Sequence, residues 1–180
     1  MSEVIRLKSC RSTQDIARRM ADEGALPWTL VRSDRQSCGR GRIGRRWVSG
    51  PGGLYFSLIL RPRLKPADLA ELSRGTAAAC GRALARTTKL KIAIKLPNDV
   101  FATSARGTPF KKICGILIEA SGDTRKVDWV VIGIGVNVNN RVPKSLTEAS
   151  SIAALTGLRL DPETVLKAVL CALRARFSRY

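Results

Sequence analysis

Residues 36–57 set three glycines (Gly39, Gly41, Gly44) among four arginines (Arg40, Arg42, Arg45, Arg46), between two stretches that read as strands. The second of these, 53–60, carries Leu54, Phe56, Leu58 and Leu60 on one face and Tyr55, Ser57 and Ile59 on the other, a period of two that suits a sheet. The first, 28–33, starts after Pro27. A loop pinned at both ends is suited to ordered ligand binding. Glycine lets backbone N–H groups approach an anion, and arginine offers phosphate or carboxylate a permanently charged fork.

Two other readings compete for the loop. Gly39-Arg-Gly-Arg-Ile-Gly44 matches the G-x-G-x-x-G string, but a dinucleotide fold needs a helix directly afterwards and Arg45-Arg-Trp-Val-Ser-Gly-Pro-Gly-Gly53 follows, so that reading is rejected. The bland alternative is a solvated RG-rich loop that touches nucleic acid nonspecifically. Its anchoring between strands weighs against this.

At 180 residues, 44% hydrophobic and 26% charged, the chain is of the soluble globular class and long enough for a substantial core. Lys and Arg number 32 against 14 Asp and Glu, a net charge of +18 that favours an anionic partner: nucleic acid, a nucleotide or an acidic protein. No run approaches the roughly 18 apolar residues of a membrane span, and the first ten residues lack a signal-peptide core. The five cysteines (Cys10, Cys38, Cys80, Cys114, Cys171) form no C-x-x-C pair and there is no histidine. Reduced thiols in a cytoplasmic protein are therefore expected, with no zinc and no haem, and Ser-His and Cys-His catalysis is excluded.

In chain order, residues 3–8 read as a first strand. Ser12-Thr-Gln-Asp15 resembles a capping box, Ser12 as N-cap and Asp15 at N3, opening a helix with Ile16, Ala17, Met20 and Ala21 on one face. Pro66 opens a long helix to about residue 87, packed through Leu69, Leu72, Ala79, Ala83 and Leu84. Residues 91–96 form a short strand stopped by Pro97-Asn98-Asp99, and 103–109 a hairpin tip. A strand at 111–119 follows, in which Gly115 permits close approach of a backbone or ligand. Residues 127–134 make the most apolar and central strand, leading to Asn137; helices are expected at 150–156 and 162–177. The expectation is α+β: one domain over residues 1–180, with a mixed, largely antiparallel sheet packed against helices.

Polar groups thus collect at strand ends. The loop after Ser33, Asn98 and Asp99, Asn137, and Lys112 at a strand start would together supply cations for phosphates, an amide for a base edge, an acid for Mg²⁺ and Trp47 for stacking. Nothing among them resembles a hydrolytic base or nucleophile. The natural chemistry is activation of a carboxylate by a nucleotide, where alignment and charge stabilisation do most of the catalysis.

Ser12-Thr-Gln14, Gln36 with Gly39-Arg-Gly-Arg-Ile-Gly-Arg45 and Trp47, Lys95-Leu-Pro-Asn-Asp99, Lys112-Ile-Cys-Gly-Ile-Leu-Ile-Glu119 and Gly133-Ile-Gly-Val-Asn137 come in the order, and at about the spacing, of one family. Over roughly residues 10–177 the chain resembles the catalytic domain of biotin–protein ligases, of the biotin/lipoate ligase superfamily. The resemblance implies that biotin and MgATP give biotinyl-5′-AMP and pyrophosphate. A lysine ε-amine of a biotin carboxyl carrier protein then attacks the mixed anhydride. It implies a biotin pocket of Ser12, Thr13, Gln14, Gln36 and Gly115. Arg40, Gly41 and Arg42 would wrap the carboxylate, and Lys112 would neutralise carboxylate and α-phosphate, which makes Lys112, Arg40 and Arg42 the catalytic set. Arg42, Arg45, Trp47, Asn98, Asp99, Lys112 and Asn137 would hold ATP or the adenylate, Trp47 against the adenine and Asp99 near Mg²⁺.

The sequence departs from the family pattern at Leu96, where tryptophan is usual, and at Gln14, where asparagine is usual. The first is expected to be a packing change and the second a change at the pocket edge. Because the motifs begin by residue 12 and the chain stops at Tyr180, neither an N-terminal helix-turn-helix nor a C-terminal β-barrel domain is expected, which argues against a sequence-specific DNA-binding repressor. Relatives include monomers and dimers, so a homodimer paired through a sheet edge stays open. Two alternatives also stay open. One is a lipoate or octanoate ligase or transferase of the same superfamily, with Cys114 or Cys38, at positions expected for small core residues, as formal acyl carriers. The other is a basic nucleic-acid-binding module without catalysis.

Overall fold

A computed structural model describes residues 3–104 and 109–178. Among the described residues the elements run β1 (Val4–Leu7), α1 (Thr13–Asp22), β2 (Leu30–Ser33), β3 (Leu54–Leu60), a 3-10 turn (Pro66–Asp68), α2 (Leu69–Thr88) and β4 (Lys91–Lys95). They continue with β5 (Asp99–Thr103), β6 (Lys111–Gly122), β7 (Val127–Val136), α3 (Ile152–Thr156) and α4 (Pro162–Arg176). The strands make one sheet in the order β1-β2-β3-β7-β6-β5-β4. Only β1 and β2 pair in parallel; every other pair is antiparallel. The α+β architecture is as expected, and the most apolar strand, β7, is central.

The two faces of the sheet are used differently. On one, Leu54, Phe56, Leu58 and Leu60 of β3 join Val130, Ile132, Ile134 and Val136 of β7 in a core shared with α2 and α4. On the other, Ile59, Val131, Trp129 and Val31 pack against Ala17 and Ala21 of α1 in a smaller cluster. Small residues of α2 are buried at Ala77, Ala79, Gly81 and Ala83, and Gly81 brings the helix close to Ile92 and Ile94 of β4.

Two local expectations change, and a third falls partly outside the described residues. The long α-helix begins three residues after its proline: Pro66–Asp68 form a 3-10 turn in which Asp68 accepts from the Lys65 N–H at 2.9 Å, and α-helix follows from Leu69. Ser12 has an N-cap backbone, but its side chain makes no capping bond and Asp15 turns away to Arg40, so the capping box does not form. The hairpin tip at 103–109 falls partly on residues 105–108, outside the described residues.

Short α3 depends on its cap. Ser151 is buried, and its Oγ accepts from the Ala154 N–H at 3.2 Å. Ser151→Ala is expected to lower the unfolding free energy by about 1 kcal/mol, read as a lower urea midpoint with unchanged slope. Among the described residues, no helix is long and apolar enough to cross a membrane.

Candidate active site

A trough opens on the α1 face of the sheet where side chains become small. Cross-strand register places Ser57, Gly133 and Leu117 in one row and Tyr55, Gly135 and Gly115 in the next. One row further along, Ile59 and Val131 are covered by α1. The three glycines therefore leave a hollow beyond the end of the helix, where Gln14 and Trp47 descend onto the sheet. A Cβ on Gly133 would lie 2.4 Å from Gln14 Oε1, and one on Gly135 2.4 Å from Trp47 Nε1. The resulting cavity is about 220 Å³ and is lined by Ser12, Thr13, Gln14, Gln36, Ser57 and the Gly-Arg loop.

Its floor is a connected polar network in a buried setting. Gln14 Nε2 donates to the Val131 carbonyl at 3.2 Å, and Gln14 Oε1 accepts from Ser57 Oγ at 3.0 Å. Ser57 and Thr13 hydroxyls are 2.9 Å apart, and Gln36 Oε1 accepts from the Thr13 N–H at 2.8 Å. Gln36 Nε2 in turn donates to Ser49 Oγ at 2.8 Å. Such bonds lock rotamers before a ligand arrives. Ser12 Oγ, in contrast, is buried on the cavity wall without a partner.

The arginines of the loop have separate tasks. Arg40 bridges Asp15 of α1 at 2.7 Å and Glu119 of β6 at 2.8 Å, so its charge is already matched by two carboxylates. Arg42 donates to Asn98 Oδ1 at 2.9 Å and Arg46 to the Ser37 carbonyl at 2.7 Å. These bonds draw the loop across the trough. At its far end Tyr55, whose phenol burial pushes above the usual tyrosine range, donates to the Gly50 carbonyl at 2.8 Å.

Lys112 owes its position to an irregularity. Val100 pairs with Cys114 but Phe101 with Lys112, so Ile113 is an extra residue in β6. In a regular strand Lys112 would share the face of Cys114, which is in the core. The bulge puts it on the cavity side instead. Its Nζ pairs with Asp99 Oδ1 at 2.7 Å and lies 5.4 Å from the centroid of the Trp47 ring. Its backbone is strapped by the segment before α3: Lys112 N–H to the Glu148 carbonyl at 2.7 Å and Ser150 N–H to the Lys112 carbonyl at 3.0 Å.

A second cavity, about 350 Å³, adjoins the first. Trp47, Val48, Val142, Pro143 and Leu146 form its apolar walls, and Asn137 and Asn140 are also part of its lining. Arg45, Arg46, Trp47 and Lys112 line both cavities and mark their junction.

The model of the biotin/lipoate A/B protein ligase family matches residues 7–137. The chain belongs to that family. The bifunctional ligase/repressor BirA of Bacillus subtilis is 34% identical over 174 residues, covering 94% of this chain and 52% of its own length. The biotin–[acetyl-CoA-carboxylase] ligase of Paracoccus denitrificans is 38% identical over 146 residues, covering 77% of this chain and 58% of its own. The chain thus spans little more than half the length of these curated relatives. Among solved structures, the Aquifex aeolicus biotin protein ligase in complex with biotin and ATP superposes with a TM-score of 0.81 at 33% identity, over 99% of this chain and 72% of that one. The Leishmania major enzyme in complex with biotinyl-5-AMP gives 0.81 at 27% identity, over 99% and 76%.

Within this biotin/lipoate ligase family member, the expected residues divide between the lobes. Ser12, Thr13, Gln14, Gln36, Arg40, Gly41, Arg42, Asn98, Asp99 and Gly115 line the first cavity, and Asn137 lines only the second. Gln14 is a buried floor residue rather than a pocket-edge one, because its amide spans Ser57 and Val131. Leu96 is 65% exposed on the turn between β4 and β5, so its difference from the family pattern is not a packing change. Sequence reasoning missed Ser57, Ser49, Asn140 and the pairing of Arg40 with Asp15 and Glu119. Ser57 did leave a signal, as the one hydroxyl inside an otherwise apolar and wholly buried strand apart from the phenol of Tyr55.

The cysteines stand outside this machinery. A hydrogen bond to Cys80 and then burial push the Cys114 thiol well above the usual cysteine range, and both residues are fully buried. Cys38 is half-buried rather than in the core. Brief treatment of the native protein with iodoacetamide at pH 7 is expected to modify exposed Cys171 and spare Cys80 and Cys114, as read by peptide mass spectrometry. Rapid labelling of Cys114 would reopen its role as an acyl carrier.

Proposed function

We propose that the chain is a biotin–protein ligase, with biotin in the first cavity and the adenosine of ATP in the second. The observation that carries this reading is the shared waist. Lys112 and Trp47 belong to both cavities, so a carboxylate entering from one lobe and an α-phosphate from the other meet beside a lysine. A biotin carboxylate oxygen attacks the α-phosphorus, pyrophosphate leaves, and biotinyl-5′-AMP forms. Lys112 offsets the charge that accumulates on the phosphoryl oxygens, and Arg42, Arg45 and Arg46 hold the loop and phosphates around it. The loop shields the mixed anhydride from water until a lysine ε-amine of a carrier protein attacks the acyl carbon and AMP departs.

The buried polar floor supports biotin over lipoate or octanoate. Ser12, Thr13, Gln14, Gln36 and Ser57 present hydroxyls and amides that suit a ureido ring, whereas a dithiolane or alkyl chain would use none of them and would leave Ser12 Oγ without a partner. Mg²⁺ fits as a passenger on the nucleotide. Among the described residues no three His, Cys, Asp or Glu side chains cluster to hold a metal, while Asp99 offers one carboxylate at the waist and the phosphates would provide the rest. When bound, the ion supplies charge neutralisation at the leaving pyrophosphate.

Isothermal calorimetry with biotin, lipoate and octanoate, repeated with ATP and Mg²⁺, followed by mass spectrometry of the small molecules, tests the proposal. Biotin binding and biotinyl-AMP are expected. Lipoyl- or octanoyl-AMP in its place would move the chain to the other branch of the family. No ligand binding, with salt-sensitive retention on DNA or RNA, would favour a basic nucleic-acid-binding module.

A further inference from the structure

Residues 40–46 of the glycine-arginine loop form a small hairpin. Arg40 pairs with Arg46 in a bridge, the Gly41 N–H donates to the Arg45 carbonyl at 2.7 Å, and the Arg45 N–H donates to the Arg42 carbonyl at 3.1 Å. Ile43 and Gly44 make the turn, at φ 54° and 70°. Two successive residues in the left-handed region suit a tight hairpin turn, and glycine takes that conformation freely. Isoleucine does not. Its branched Cβ crowds the backbone there, and with the residue 90% exposed little packing offsets the cost. The tip therefore works against the closed hairpin.

The base of the hairpin is held from outside. Arg40 donates through one Nη to Asp15 Oδ1 at 2.7 Å and through the other to Glu119 Oε1 at 2.8 Å, so one fork spans carboxylates from two elements. Both acids stand just behind the cavity lining. Asp15 follows Thr13 and Gln14 in the first turn of α1, and Glu119 lies two residues beyond Leu117 on the same face of β6. Arg18 donates to the same Glu119 oxygen at 3.3 Å, which makes a cluster of two guanidiniums and two carboxylates with no net charge. Arg40 thus serves the protein's own acids, and Arg42, Arg45, Arg46 and Lys112 remain for a ligand anion at the cavity.

We propose that Asp15 and Glu119 are positioning residues for the loop: through Arg40 they hold it over the first cavity before a ligand arrives, and breaking these two pairs gates ligand entry and release. Partly exposed pairs are weak one by one and the strained tip opposes them, so the closed loop is only slightly favoured and opens readily. Closure does not depend on which ligand binds. Its bearing on biotin rests on the first cavity being the biotin lobe.

The test is amide hydrogen exchange in the ligand-free chain, read by mass spectrometry on peptides spanning 39–47, where the Gly41, Arg45 and Trp47 N–H groups are bonded within the loop. Asp15→Asn and Glu119→Gln are each expected to speed exchange by about 2- to 5-fold, and the pair by up to about 10-fold, the range of exposed ion pairs. Neither is expected to add anything in an Arg40→Met background, because both act through that guanidinium. Raising NaCl from about 0.02 to about 0.5 M is expected to speed exchange in wild type and to leave Arg40→Met unchanged. Stopped-flow biotin binding, followed by tryptophan fluorescence, is expected to show association and dissociation both faster in Asp15→Asn.

Unaltered exchange in Asp15→Asn would overturn the proposal. So would an equal acceleration in the Arg40→Met background, which would make Asp15 a helix-terminus residue with no tie to the loop. Should Glu119→Gln fail to fold, the Asp15 and Arg40 variants decide alone. Salt-sensitive, non-additive exchange in a chain that binds no biotin would sustain this inference and sink the biotin reading.

Discussion

Lys112→Ala is expected to slow biotinyl-5′-AMP formation by about 10²- to 10³-fold, the usual consequence of removing one preorganised group from a developing oxyanion. Lys112 lines both cavities, its ammonium held by Asp99 at 2.7 Å and over the Trp47 ring at 5.4 Å, so its position is established before substrates bind. The strap that ties β6 to the segment before α3 runs through the backbone of Lys112 and survives the substitution. Circular dichroism and the thermal midpoint should therefore stay close to wild type, while biotin-dependent exchange of pyrophosphate into ATP collapses. Near-normal exchange in a folded variant would remove Lys112 from the proposed chemistry.

Gly135→Ala is expected to weaken ATP and biotin binding together, by about 10- to 100-fold each, since overpacking by one methyl forces neighbours off their positions. The added Cβ would stand 2.4 Å from Trp47 Nε1 and 2.5 Å from Cε2, and the indole lies in a wall common to both lobes. Gly115 leaves no room on the other side, where a Cβ would be 2.7 Å from Trp47 Cζ3. The control is Gly50→Ala, which meets nothing within 4 Å and should bind both ligands normally. Calorimetric affinities for the two ligands in the two variants check this; a loss confined to one ligand would show that Trp47 serves a single lobe.

Much of the site was legible before folding because its parts are local. The Gly-Arg loop, its flanking strands and the turn at Pro97 follow from φ restrictions and period-two alternation within a few residues of one another. Other features were readable but ambiguous. Ser12 could serve a helix end or a ligand, and in the structure its buried Oγ makes no capping bond and has no other partner. Asn137 could serve the nucleotide or the fold; its amide bonds Ser150 and Asn140, neither of which announces itself as a partner in sequence, and the residue also lines the second cavity.

By itself, then, the sequence determined the alternating strands, the α+β class and the set of residue types from which a carboxylate-activating site can be built. Tertiary structure decided which of them face one another. Cross-strand register stacked Ser57, Gly133, Gly135 and Gly115 into a trough, and pairing with Asp15 and Glu119 took up the charge of Arg40. One extra residue, Ile113, turned Lys112 from the core face to the cavity. The physical reason is that side-chain direction along a strand is set by pairing with its neighbours: a single bulge inverts it, and nothing within the strand's own sequence reports which partner residue is skipped.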